Sequence, residues 1–226
     1  MATILVIGIQ WSIMRNYNLV SELICLVAAI YFWQWLKKTY WIAFIPFLAF
    51  TILIETFASF VWPENNGWLY NLYVSVQLTF SGFFFYRMNP GNQYKKAVLL
   101  VLVAFHIISL LRFTLYDSFL IFNLLLFTLD SVITVLLGFW FLLYVISEND
   151  RSALTRIQPA LWITVGMIAY FSVCGILFNV TKFIRFNELK ILGIYIDNFV
   201  SQLLSIFMYS CFAYSFYLCK KIRMKF

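Results

Sequence analysis

Apolar residues along this chain run in long blocks broken by short polar segments, rather than in the strict alternation of strands or the single stripe of a surface helix. Seven blocks exceed the roughly 17 residues that a helix needs to cross hydrocarbon. They cover 18–36, 40–61, 67–87, 95–115, 119–146, 157–180 and 193–219. Helices are expected because backbone groups in lipid must be satisfied within the segment. The ten-residue alternating segments of an outer-membrane barrel are absent. The predicted fold is all-α: a polytopic bundle of seven transmembrane helices over 18–219. A short N-terminal extension, 1–17, precedes it and a basic tail, 220–226, follows. Residues 1–14 are apolar but lack a charged start and a small-residue cleavage site, so they read as an interfacial or lumenal extension rather than a signal peptide.

Composition agrees. Of 226 residues 64% are hydrophobic and 11% charged, with a mean hydropathy of +0.89, where a soluble domain is about half apolar and a quarter charged. The net charge of +7 would suggest nucleic acid in a soluble protein. Here the basic residues cluster at the ends of the blocks, so they read as topology signals and contacts with anionic lipid. One set of ends carries Lys37, Lys38, Arg87, Lys95, Lys96, Arg151, Arg156, Lys220, Lys221, Arg223 and Lys225; the other carries Arg15, Lys182, Arg185 and Lys190. Eleven against four predicts the first set in the cytoplasm, hence N-terminus out and C-terminus in. Turn signals at 63–67 and 89–92 fit that alternation. Trp33, Trp35, Trp41, Trp62 and Trp68 read as interfacial belts. Glu64 and Asp117 fall at span ends and read as solvated.

Polar side chains inside the blocks are informative, because each is costly in lipid unless partnered or wet. On a rise of about 1.5 Å per residue, Glu22, Asn71, Asn123 and Asn198 lie roughly 6 to 8 Å below the outer face and Glu55 slightly deeper. Gln77, His106, Asp130 and Gln202 approach the midplane, and the inner half is nearly free of ionisable groups. Three- and four-residue spacing gathers them into stripes: Asn18, Glu22 and Cys25; Thr51, Glu55 and Ser59; Tyr70, Tyr73, Gln77 and Ser81; His106, Ser109 and Arg112; Asn123, Phe127, Asp130 and Thr134; Asn198, Ser201, Gln202 and Ser205. Pointed at one another, the stripes make a polar cavity opening outward. Its candidate ligand-binding residues are Glu22, Glu55, Tyr70, Asn71, Gln77, His106, Arg112, Asp130, Asn198 and Gln202.

Interhelical glue, worth about 0.6 kcal/mol per hydrogen bond, accounts for hydroxyls and single amides; intramembrane charges point to function. Arg112 is the expected counter-ion for one carboxylate, and the excess of acids leaves one to hold a proton or meet a cation. A lone histidine reads as a satisfied core residue, so no metal and no cofactor is expected. Cys25, Cys174, Cys211 and Cys219 read as small buried residues; Cys25 and Cys174 are expected at similar depth near the outer face, which makes a disulfide conceivable though nothing in the sequence supports one.

Familiar heptahelical motifs are missing. The last block has no lysine for retinal and no Asn-Pro pair, Tyr86-Arg87-Met88 lacks an acid before arginine, one histidine cannot build a multi-histidine metal hydrolase, and no Pro-Gln pair occurs. Leu19-Val20-Ser21-Glu22-Leu23-Ile24-Cys25-Leu26-Val27-Ala28-Ala29-Ile30, Glu55, and Gly67-Trp68-Leu69-Tyr70-Asn71 through Gln77 resemble seven-span bacterial integral membrane proteins with no assigned function. The resemblance covers about the first third of the chain. It implies a bacterial cytoplasmic (inner) membrane and carries over no activity or site residue. The function expected is a receptor or sensor with an outward ligand cavity for a small molecule or cation. It would signal through a separate membrane or cytoplasmic partner, with membrane lipids around it, no nucleic acid, and a homo-oligomer compatible with the pattern. The alternatives are a transporter, channel or pore-forming effector, and an intramembrane lipid-modifying enzyme using paired carboxylates.

Overall fold

A computed structural model of the chain describes residues 2–37, 39–61, 66–88, 91–116, 118–147, 151–191 and 193–223, with side chains from Tyr17 in the first helix and Ile157 in the seventh. The expected turns at 63–67 and 89–92, together with Trp62, Glu64, Asp117 and the end of the basic tail, fall wholly or partly outside the described residues.

Among the described residues the chain is almost entirely helical. The helices are α1 (Ala2–Tyr31), α2 (Trp33–Leu36), α3 (Phe44–Thr56), α4 (Gly67–Met88), α5 (Asn92–Leu115), α6 (Leu124–Ser147), α7 (Arg151–Phe186) and α8 (Ile196–Arg223). A 3₁₀ turn, Tyr40–Ala43, leads into α3 and a π-helical turn, Phe57–Val61, ends it. Five segments are long and apolar enough to cross a membrane: Tyr40–Phe60, Asn92–Leu115, Leu124–Ser147, Ile157–Phe186 and Ile196–Ile222. The chain is an integral membrane protein, because lipid is the solvent that tolerates such helices. Residues 1–17, expected as a separate extension, continue into the first apolar block without a break in α1.

Contacts between neighbours run α1–α3–α4–α6–α7–α8 and back to α1, so six helices close a ring. Helix α5 packs on α4 and α6 from outside. One end of the ring is filled with aromatic side chains. Phe44, at the start of α3, has ring neighbours Phe80, Phe84, Phe212 and Phe216 at 4.8–6.0 Å, and Leu36, Leu48, Phe85, Val98, Phe141 and Ile163 complete this core. Trp41, expected at the interface, is buried: the 3₁₀ turn directs it inward to stack on Phe44 at 5.8 Å. Lys220, at the same end of α8, sits 5.0 Å from the Trp35 ring.

Two span boundaries differ from the hydropathy pattern, each for a local reason. The fifth block was expected to begin at Phe119, yet α6 begins at Leu124. Asn71 holds the intervening segment as a loop: its amide donates to the carbonyls of Phe119 and Ile121, and its oxygen accepts the N–H of Asn123. Gly67 allows the close approach, since a Cβ there would meet Phe122 N at 2.5 Å and Leu120 O at 2.6 Å. Asn123 then caps α6, its side-chain oxygen accepting the Leu126 N–H at 3.2 Å. The seventh block was expected to begin at Gly193, but a small antiparallel hairpin pairs Lys190 with Tyr195 and Ile191 with Ile194 before α8 starts at Ile196. Gly193 has φ +81°, the left-handed region that glycine enters without penalty.

Candidate functional site

Farther along the ring from Phe44, α1 and α3 carry two acids, Glu22 and Glu55. Glu22 is 3% exposed, and it lies within electrostatic reach of Glu55. The Tyr209 hydroxyl of α8 donates to Glu22 Oε1 at 3.3 Å, while buried Glu22 Oε2 has no hydrogen-bond partner. Half-buried Glu55 accepts the Tyr70 hydroxyl on Oε2 at 3.5 Å. The π turn starts two residues after Glu55; such turns often mark functional positions because they widen the helix end. Asn66 supports this turn by donating to the Ala58 carbonyl at 3.2 Å.

Three tyrosines share this space. Tyr73 of α4 sits beside the Thr51 hydroxyl and within electrostatic reach of Glu22, Glu55 and Asp130. Tyr170 of α7 lies near Tyr73, Cys174, Glu55 and Glu22. Tyr209 lies near Glu22, Tyr73, Tyr170 and Cys25. Tyr73, Tyr170 and Glu55 are each half-buried, which leaves accessible surface beside a buried acid. Among the described residues, no lysine, arginine or histidine bears on Glu22.

The remaining candidates separate into distinct surroundings. Asp130 on α6 is fully buried and takes the Thr134 hydroxyl at 3.3 Å; it faces Tyr73 but is not among the groups that bear on Glu22. Gln77 is buried and donates to Ser81 at 3.0 Å. Asn71 is occupied by the loop before α6. His106 is exposed on α5 and bonds to the Thr79 hydroxyl at 2.9 Å, so it is a surface residue of the bundle rather than a core one. Arg112, expected to neutralise a carboxylate, is not among the groups bearing on Glu22 or Asp130. It lies 5.9 Å from the Tyr116 ring and lines a cavity of about 260 Å³ with Ser118, Ile121, Phe122 and Asn123. Asn198 and Gln202 are half-buried on α8, and the Asn198 carbonyl accepts the Ser201 hydroxyl.

Two residues of the site escaped the sequence pattern, Tyr170 and Tyr209, and so did Asp197 elsewhere on α8. Interior tyrosines blend into a chain holding 14 of them. Their available signal was position, well inside an apolar block rather than at its ends. Asp197, 6% exposed in the first turn of α8, pairs with Arg185 Nε at 3.7 Å. All four cysteines are free and buried. Among the described residues no three His, Cys, Asp or Glu side chains gather as a metal site.

Comparison of the chain with family models, with curated proteins and with solved structures finds no match.

Proposed function

We propose that the chain is a seven-span receptor- or sensor-like protein of a bacterial cytoplasmic membrane, with its N-terminus outside, and that it detects a small organic cation at Glu22 and Glu55. Adding α1 and α4 to the five apolar segments gives the seven spans, and the distribution of basic residues supports the orientation. The observation that carries the binding reading is buried Glu22 within electrostatic reach of Glu55, Tyr73, Tyr170 and Tyr209, with no base bearing on it among the described residues. Glu22, buried beside a second acid, favours a proton or a positive ligand, and phenol rings attract an alkylammonium through their electron-rich faces. Carboxylate and aromatic groups together favour an ammonium over a bare metal ion. The aromatic core around Phe44 closes the other end of the ring, which suits detection better than a standing pore. A signal would leave through helix shifts to a separate partner.

The test uses purified full-length protein in detergent. Tetramethylammonium should raise its melting temperature saturably, and Glu22→Gln or Glu55→Gln should each abolish the rise while the variant still melts cooperatively. Equal stabilisation of both variants and wild type would remove the acids from the site. Reconstituted vesicles address transport: flux of tetramethylammonium would require the Phe44 core to part and would replace detection with passage.

A further inference from the structure

Asp130 is a separate problem for the fold. It lies in the second turn of α6, and its carboxyl is 0% exposed. Oδ1 accepts one hydrogen bond, from Thr134 a turn further on, at 3.3 Å. Oδ2 is buried and has no hydrogen-bond partner. A carboxylate oxygen sealed from water in this way is costly unless a positive charge or a donor reaches it.

Among the described residues, the elements packed against α6 bring neither a positive charge nor a hydrogen bond to that oxygen. From α4 the titratable group facing Asp130 is Tyr73, whose hydroxyl also sits beside Thr51. From α7, Tyr170 and Cys174 bear on each other, and Tyr170 also lies within electrostatic reach of Glu55 and Glu22. From α5, His106 is engaged with Thr79 at the exposed surface, and Arg112 lines the cavity beside the 118–123 loop. Thr134 is also wholly buried; its hydrogen goes to Oδ1, which leaves its oxygen lone pairs directed elsewhere.

We propose that Asp130 and Thr134 hold one small monovalent cation, a sodium ion or a proton, at Asp130 Oδ2. The closed surroundings exclude an organic ammonium here, so this site is distinct from the one at Glu22 and Glu55. A sodium ion takes hard oxygen ligands of the kind that a carboxylate and a threonine hydroxyl provide. A proton needs the carboxyl alone. Either one delivers a single positive charge and leaves the site neutral, and in both cases the charge is felt at Tyr73, the shared neighbour of all three acids.

The experiment compares wild type with Asp130→Asn in detergent by melting temperature. Sodium chloride is titrated against N-methylglucamine chloride at fixed ionic strength and pH, and pH is then varied at fixed sodium. A saturable sodium rise present in wild type and lost in Asp130→Asn assigns sodium. No sodium rise, with a pH-dependent step that vanishes in Asp130→Asn, assigns a proton. Identical responses of the two proteins to both titrations, or no response of wild type to either, overturns the proposal. Should Asp130→Asn fail to fold, Thr134→Val takes its place: it should shift the half-saturating sodium concentration, or the midpoint proton concentration, by threefold or more, and an unchanged midpoint counts against the site.

Discussion

At the residue scale, the polar positions divide by what they touch. Asn71 makes three hydrogen bonds to backbone groups of the loop before α6, at 2.8, 2.8 and 2.9 Å. That is the pattern of a structural clamp. Asn71→Ala removes all three bonds, the one from the N–H of buried Asn123 among them, and should cost about 1–3 kcal/mol in stability, read as a lower melting temperature or denaturant midpoint. Ammonium binding at Glu22 and Glu55 should survive in the folded fraction. An unchanged midpoint would mean that the loop holds without this clamp. Glu22 has the opposite character, with one phenol donor and one oxygen left over. Glu22 and Glu55 were legible as a pair because intramembrane acids are few and each shares its helix face with a hydroxyl or thiol three or four residues away. Asn71 looked the same on that criterion, because sequence spacing does not show whether an amide faces a ligand or a folded-back loop.

At the element scale, helix α5 shows where periodicity misleads. Its stripe of His106, Ser109 and Arg112 advances in steps of three, so its ends lie about 120° apart around the axis at about 100° per residue. The structure accordingly buries Ser109, exposes His106 and turns Arg112 to a cavity beside the loop. Steps of four drift much less: Asp130 and Thr134 share a face and bond to each other. The loop at 119–123 and the hairpin before α8 were hidden for another reason. Both are apolar in composition, and what makes them irregular is a tertiary contact in one case and a glycine with φ +81° in the other. Contact between α7 and α8 supplies a prediction at this scale. A Cβ on Gly166 would lie 3.0 Å from Cys211 Cβ and 3.2 Å from Met208 Cα, so a side chain there must push the α8 backbone. One on Gly82 would meet only the flexible end of Leu102. Gly166→Val should therefore destabilise by about 1–3 kcal/mol. Gly82→Ala should come within about 1 kcal/mol of wild type, because helix propensity gained offsets the crowding. Equal melting temperatures for the two variants would mean that α7 and α8 are not in close contact at Gly166.

At the scale of the whole molecule, the ring of six helices separates chemistry along its length. Glu22 and Glu55 lie toward one end, with Tyr73 and Tyr170 in electrostatic reach; Phe44 with its ring neighbours and Lys220 lie toward the other. Hydropathy foresaw part of that polarity, since the intramembrane acids lie toward the outer ends of the blocks that carry them and the inner half is nearly free of ionisable groups. It could not foresee that α5 stands outside the ring, because every apolar block looks equally suited to the interior when lipid and protein core are both apolar. The central claim is that Glu22 and Glu55 form one cation site rather than two unrelated buried acids. Equilibrium dialysis of labelled tetramethylammonium against the purified protein measures it directly. The account predicts one bound cation per chain, lost in Glu22→Gln, in Glu55→Gln and equally in the double variant. No saturable binding to wild type, or full binding retained by either single variant, would contradict it.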